Sequence, residues 1–271
     1  MNKWTFFNGE FQEDSETKLH YTDLSIQRAY GIFDFLKVVD GKEQFVDDHL
    51  ERFYMSAQAM RLEAGFDKSN LIKIIHELIE KNELRNGAIK ITLTGGYSED
   101  GYQPGRPNLI IGCNIINKPI AYNEGIKLIT YPHQRQLPHI KTIDYIMPLW
   151  LQPVIKSHNA DDVLYITGDT VTECPRSNFF IIDKDGRLIT PENNILKGVT
   201  RKKVLEASEE IVEIVERDVA ITDVYNAAEA FITSTTKMIL PVKYINDHHF
   251  KSHKLTCQLQ QLFSDKYGII F

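Results

Sequence analysis

Cysteine is scarce: the 271 residues contain three, Cys113, Cys174 and Cys257, set far apart. Such spacing suits neither a disulfide framework nor a zinc ribbon, both of which need closely grouped thiols, and it points to a reducing, cytoplasmic compartment. Long apolar runs are also missing, and a membrane helix needs roughly 18 such residues in a row, so no span is expected. At the amino terminus, "MNKWTFFNGE" reaches Asn8 and Gly9 before an apolar core long enough for a secretory signal has formed. Positive charge is nowhere concentrated and the formal net charge is -6. A phosphate backbone calls for a dense basic surface, so nucleic acid is not an expected partner. The chain has no repeat of solenoid period, no low-complexity tract, and none of HExxH, CxxC, GxSxG or GxxxxGK[ST]. No spacing of histidines calls for a metal.

What remains is ordinary globular composition, 42% hydrophobic and 25% charged, with length enough for two domains. "WTFFNGEF" reads as strand, Asn8-Gly9 turn and strand, and "IFDFLKVVDGKEQFV" repeats the pattern around Asp40-Gly41. From Asp48 the period changes. Leu50, Phe53, Ala57 and Met60 recur three or four apart, and Leu71, Ile74, Ile75, Leu78 and Ile79 form a second helical stripe with Ser69 as its cap. Strands follow in "AIKITLTGG" and "NLIIGCNII". The polar run "NKPIAYNEG" breaks all period and marks the boundary: a small α/β domain over 1–117, a linker at 118–124, and a larger domain over 125–271. The second part reads as strand "IKLITY", a helix over about 143–157 interrupted near Pro148 and Pro153, strands "DVLYIT", "NFFIID" and "RLIT", a helix opened by Thr200 with Val204, Leu205, Ala207 and Ile211 inward, and the strand–turn–strand "AEAFITSTTKMILPVKYI". The fold class is mixed α/β in two parts, each with its own sheet.

Within "LPHIKTIDYIMPL", Lys141 is the lysine with apolar neighbours on both sides. Two readings stay open on its own sequence: a lysine snorkelling out of a packed helix, or an amine held where it can react.

Five ordered stretches change that balance: "HLERFYMSA", "IKTIDY", "TVTECPRSNFFII", "NNILKGVTR" and "ITSTTKMILPV". With them the chain, from "FFNGEF" to near Leu262, resembles the class IV, fold-type IV aminotransferases dependent on pyridoxal 5'-phosphate, and within them the D-amino acid aminotransferases. The resemblance implies that Lys141 is the lysine bonded to the cofactor and also the base that moves the substrate's α-proton. It implies that Glu173 pairs with the pyridine nitrogen, that Arg52, the Val199 and Thr200 amides and the hydroxyls of Thr235 and Thr236, the latter preferred, hold the phosphate end, that Ser234 lies nearer the ring, and that Leu196 packs on the ring. An anion beside the nitrogen raises its pKa, and a helix amino terminus suits a phosphate on physical grounds alone. A homodimer with active sites near the interface, an amino donor and a 2-keto acid acceptor are implied in the same way.

The departures lie in substrate recognition. Phe33 stands where these enzymes carry a tyrosine, Tyr30 replaces an acidic residue, Gly95 stands at the usual arginine, and no histidine is near. The usual carboxylate trap is therefore absent, and an unpaired buried carboxylate is costly. Arg28, Arg176 and Lys90 are the candidate replacements, the last on the strand face of Thr92 and Thr94. The leading expectation is transfer of an amino group between an amino acid, D-amino acids favoured, and a 2-keto acid. Aminodeoxychorismate lyase, branched-chain aminotransferase and a non-enzymatic binding or structural dimer are the alternatives.

Overall fold

A computed structural model describes residues 3–116 and 124–269. The chain divides into two compact units, Met1–Lys118 with Ile140–Asp144, and Pro119–His139 with Tyr145–Phe271. The linker expected at 118–124 falls, except for Glu124, outside the described residues.

The first unit is a six-stranded sheet in the order β2-β1-β6-β5-β3-β4. Its strands are β1 (Trp4–Phe7), β2 (Glu10–Glu13), β3 (Gly31–Val39), β4 (Lys42–Glu43), β5 (Gly87–Thr94) and β6 (Leu109–Asn114). Both expected hairpins form. Asn8 and Gly9, then Asp40 and Gly41, take positive φ, which gives a two-residue turn the right-handed twist of its strands. Helices α1 (Leu24–Arg28), α2 (Val46–Ala59) and α3 (Lys68–Lys81) complete the unit. The α2 stripe of Leu50, Phe53 and Ala57 and the α3 stripe of Leu71, Ile75, Leu78 and Ile79 are buried with Ile32, Leu36 and Val38 of β3 in one core. Each large side chain so removed from water contributes about 1.5–3 kcal/mol. The cap of α3 is Asp67, not Ser69: its carboxylate accepts from the Asn70 amide at 2.8 Å, while Ser69 Oγ donates to it.

The helix expected over about 143–157 starts late. Ile140–Asp144 is non-helical and lies against β3: the Phe33 amide donates to the Lys141 carbonyl, the Ile143 amide to the Gly31 carbonyl, and Thr142 bridges Ile32. Helix begins only at α4 (Ile146–Trp150), followed by α5 (Gln152–Ser157). Backbone donors satisfied by a distant strand are not available to a helix, and sequence period does not register that competition. Gly31 permits the approach, since a β-carbon there would lie 2.8 Å from the Leu93 carbonyl and 3.0 Å from Ile143. The segment thus belongs with the first unit, although the boundary expected from sequence puts Lys141 in the second part.

The second unit is an eleven-stranded mixed sheet. Strands β7 (Ile126–Pro132), β8 (Asp162–Thr167), β9 (Thr170–Val171), β10 (Glu173–Cys174), β11 (Ser177–Ile182), β12 (Leu188–Thr190), β13 (Ile214–Glu216), β14 (Val219–Ala220), β15 (Glu229–Ser234), β16 (Met238–Ile245) and β17 (His248–His249) accompany α6 (Val199–Ser208), α7 (Ile221–Asn226) and α8 (Lys254–Tyr267). Its central run is β11-β15-β16-β7-β8, with β7 parallel to both neighbours. In α6, Val204 and Ala207 are buried, but Ile211 lies beyond the helix end and is half exposed, contrary to expectation. Buried Glu229 of β15 receives the Leu255 and Thr256 amides and the Ser252 and Thr256 hydroxyls. Burial pushes its carboxyl pKa up, but these four donors outweigh it and hold the group below the usual range, seating the first turn of α8.

Candidate active site

In the first unit, alternation along β3 separates two faces. Ile32, Leu36 and Val38 point into the core, and Phe33 stands on the opposite, half-open face, across from Thr92 of β5. Half-buried Lys141 places its Nζ 4.4 Å from the centre of the Phe33 ring, and Lys90 places its own at 5.2 Å from the same ring. A cation over an aromatic face is worth about 0.5–1 kcal/mol when exposed. The Lys141 backbone is pinned by its carbonyl to Phe33 and by its amide to Ser56 Oγ. This lysine does not snorkel out of a helix.

The core face of β3 also carries a carboxylate, which the sequence reading passed over. Asp34 is fully buried and meets Arg52 side-on, Nε to Oδ2 at 2.8 Å and Nη2 to Oδ1 at 2.7 Å. Burial pushes the Asp34 pKa up, but Arg52 and His49 outweigh it and hold the carboxyl well below the usual range. His49 Nδ1 lies 2.7 Å from Asp34 Oδ1. A carboxylate can only accept, so Nδ1 carries the proton and donates. Burial lowers the His49 pKa; Asp34 opposes this, Arg52 and Lys141 add to it, and the ring stays neutral. Arg52 lies off the Leu50, Phe53 and Ala57 stripe of its helix, yet its side chain is 13% exposed and engaged.

In the second unit, Glu173 of β10 is buried, and its carboxylate receives Arg135 Nε at 2.8 Å and the Leu196 amide at 3.0 Å. Arg135 also donates to the Pro138 carbonyl, which fixes its fork. Opposite Glu173 in the β10–β11 hairpin is Asn178, whose Nδ2 donates to the Leu196 carbonyl and whose Oδ1 accepts the Gly198 amide. These two side chains hold half-buried Leu196 and the residues after it against the sheet. Gly198 is required by that approach, because a β-carbon would lie 2.2 Å from Asn178 Oδ1. Immediately beyond, Val199 and Thr200 open α6 and supply the first unpaired amides of a helix. Thr233 pairs with Asn178 in register, so it shares that face, and its hydroxyl is buried without a partner, as is Ser177 Oγ. Ser234, Thr235 and Thr236 form the half-buried turn between β15 and β16, with Ser234 Oγ accepting the Lys237 amide.

Arg135 and His49 escaped the sequence reading. A buried Glu173 demands a counter-charge, but the nearest arginine in sequence, Arg176, is exposed at the tip of the β10–β11 turn, and the partner comes from 38 residues away. Arg28 is exposed at the end of α1 and donates to the Gln27 carbonyl. Among the described residues no cluster of histidine, cysteine, aspartate and glutamate could hold a metal, and no helix is long and apolar enough to cross a membrane.

The chain is similar to known proteins in both sequence and fold. Residues 31–245 match the family model described as amino-transferase class IV. A D-alanine aminotransferase from Staphylococcus haemolyticus is 31% identical over 271 residues, covering 96% of each chain. A branched-chain amino acid aminotransferase from Escherichia coli superposes with a TM-score of 0.89 at 21% identity, over 98% of this chain and 95% of that one. A hypothetical aminotransferase from Mycobacterium tuberculosis, solved in its PLP-bound form, gives a TM-score of 0.86 at 20% identity, over 97% of this chain and 98% of that one. The chain belongs to the class IV aminotransferase family, in the two-part α/β fold of that family.

Proposed function

We propose that the protein transfers amino groups between an amino acid, D-amino acids favoured, and a 2-keto acid, with Lys141 as both nucleophile and base. As a member of its family it is a pyridoxal-phosphate-dependent transaminase. The observation that carries the roles is Lys141 itself: pinned through its backbone on two sides, half-buried, its amine lying over the Phe33 ring. The residues present suit the cofactor. Arg52 and the α6 amides of Val199 and Thr200 are anion donors, the Thr233 and Ser177 hydroxyls are buried and unpartnered, and Glu173 is a buried acceptor.

When bound, pyridoxal phosphate withdraws electrons from the bond to the substrate α-hydrogen. Lys141 Nζ takes that proton and returns it one carbon away, so a single amine serves both transfers. Glu173, paired with Arg135, would supply the anion that favours a proton on the pyridine nitrogen. Leu196 would pack against the ring, and Thr235 and Thr236 would add hydroxyls at the phosphate end, with Ser234 nearer the ring. For the substrate carboxylate, Lys90 is the favoured cation, since its ammonium and that of Lys141 share the Phe33 ring; Arg28 and Arg176 are the remaining candidates. The working form is read as a cytoplasmic homodimer, on the support of the family resemblance and three unpaired cysteines.

The test is a panel of D- and L-amino acids with pyruvate and 2-oxoglutarate, followed by keto-acid formation and the visible cofactor band. Turnover of D-donors that disappears in Lys141→Ala, with donor KM raised in Lys90→Ala, is the expected result. Pyruvate released from aminodeoxychorismate without any acceptor would replace the reading by a lyase, and preference for L-valine or L-leucine by a branched-chain enzyme. A donor that leaves the visible band unchanged would replace it by a binding role.

A further inference from the structure

We propose that Asp34 and His49 form a buried clamp that presents the free edge of Arg52 to the cofactor phosphate, which makes both of them positioning residues although neither touches the cofactor. The inference rests on the reading of Arg52 as a phosphate ligand and assigns a purpose to two buried ionisable groups that the transamination chemistry does not use.

A guanidinium has five N–H bonds in one plane. Asp34 takes the Nε–H and one Nη2–H through its two oxygens, and the Nη1 pair and second Nη2–H remain on the end-on edge. That edge is the one suited to a bidentate phosphate contact.

Both oxygens of the acceptor are engaged. Oδ1 receives Arg52 Nη2, His49 Nδ1 and the Phe35 amide, and Oδ2 receives Arg52 Nε. With donors on both oxygens and three converging on Oδ1, Asp34 cannot turn without losing several of these bonds. Its place on the core face of β3 and its lack of any exposure keep water from competing.

The role of His49 follows from its neutrality. A charged imidazolium would share the aspartate's charge with Arg52 and add a second cation beside Lys141. Burial, Arg52 and Lys141 all disfavour that charge, and Asp34 is the one group favouring it. As a neutral donor, His49 orients Asp34 and leaves its charge to the arginine. An arginine so held has lost its rotamer freedom before any phosphate arrives, and binding does not bear that cost again.

The test compares two probes on apo-protein: pyridoxal 5'-phosphate and pyridoxal, which lacks the phosphate. Arg52→Ala should collapse the affinity ratio between them. Asp34→Asn should do the same by about 30-fold, the rotamer entropy of one arginine at a factor of ten per 1.4 kcal/mol, with pyridoxal affinity held within about twofold. His49→Leu should act in the same direction more weakly, and His49→Asn, which keeps a donor at the Nδ1 position, should restore the ratio. A collapsed ratio in Arg52→Ala with an unchanged one in Asp34→Asn overturns the clamp. Equal weakening of both probes in Asp34→Asn also overturns it, because a structural role would act on both. An unchanged ratio in Arg52→Ala overturns instead the underlying reading of Arg52. Should Asp34→Asn not fold, His49→Leu decides by the same ratio.

Discussion

Each unit buries a carboxylate against an arginine, and the two pairs are built in opposite senses. In the first, Asp34 is fully buried and saturated by Arg52, His49 and the Phe35 amide, while Arg52 keeps an edge unused. In the second, Arg135 is fixed by the Pro138 carbonyl, and Glu173 is tied to the Leu196 amide that leads into α6. In the roles proposed above, the carboxylate serves the arginine in one case, and the arginine serves the carboxylate in the other. A buried ion pair is therefore weak evidence of stability design; what differs is which partner is held ready for use.

The sharpest way to break the comparison is Arg135→Met. It leaves Glu173 buried without its cation, and loss of one partner from a buried pair costs about 3–5 kcal/mol. Urea denaturation should show this as a lowered midpoint with little change in slope; a loss below about 1 kcal/mol would mean that Glu173 does not depend on Arg135. Next is Gly198→Ala, which sets a β-carbon against Asn178 Oδ1 and should cost about 1–3 kcal/mol by overpacking. Pairing it with Asn178→Ser should recover part of that loss, and strict additivity of the two changes would refute a direct clash.

The smallest effect concerns pH. The folded-state pKa of His49 is lowered from 6.5, so below about that pH the unfolded chain binds the extra proton and stability falls, by at most about 1.4 kcal/mol per pH unit. Asp34, whose pKa is also held down, adds its own loss only below its ordinary 3.8. His253 shifts in the same direction as His49, so the informative quantity is the difference between variants. His49→Asn should lose less stability than the wild type between pH 6.5 and 5, measured by thermal melting across that range. Parallel curves would show that His49 is not a neutral buried group.

Much of the fold was legible because its signals are local. Asn8-Gly9 and Asp40-Gly41 dictate hairpins through their own φ preferences, and the α2 and α3 stripes follow from a 3.6-residue period. The misreadings share a cause in contacts between distant residues. The helix expected from about Ile143 begins only at Ile146 because Ile140–Asp144 pairs with β3, while the Ser69 cap is a local exception, taken by Asp67 two residues earlier. Arg52, off the apolar stripe of its helix, was drawn in by Asp34 on a strand face otherwise apolar. Glu173 drew its cation not from Arg176, three residues away and exposed, but from Arg135.

From sequence alone came the two-part α/β class, the order of the motifs, and the proposal of Lys141 as the reactive residue, since these depend on residue types, local periods and family resemblance. The charge pairing was decided only by the tertiary structure. A buried carboxylate is neutralised by whichever donor the fold brings within hydrogen-bond reach, here 18 residues away for Asp34 and 38 for Glu173, and no local pattern encodes that distance.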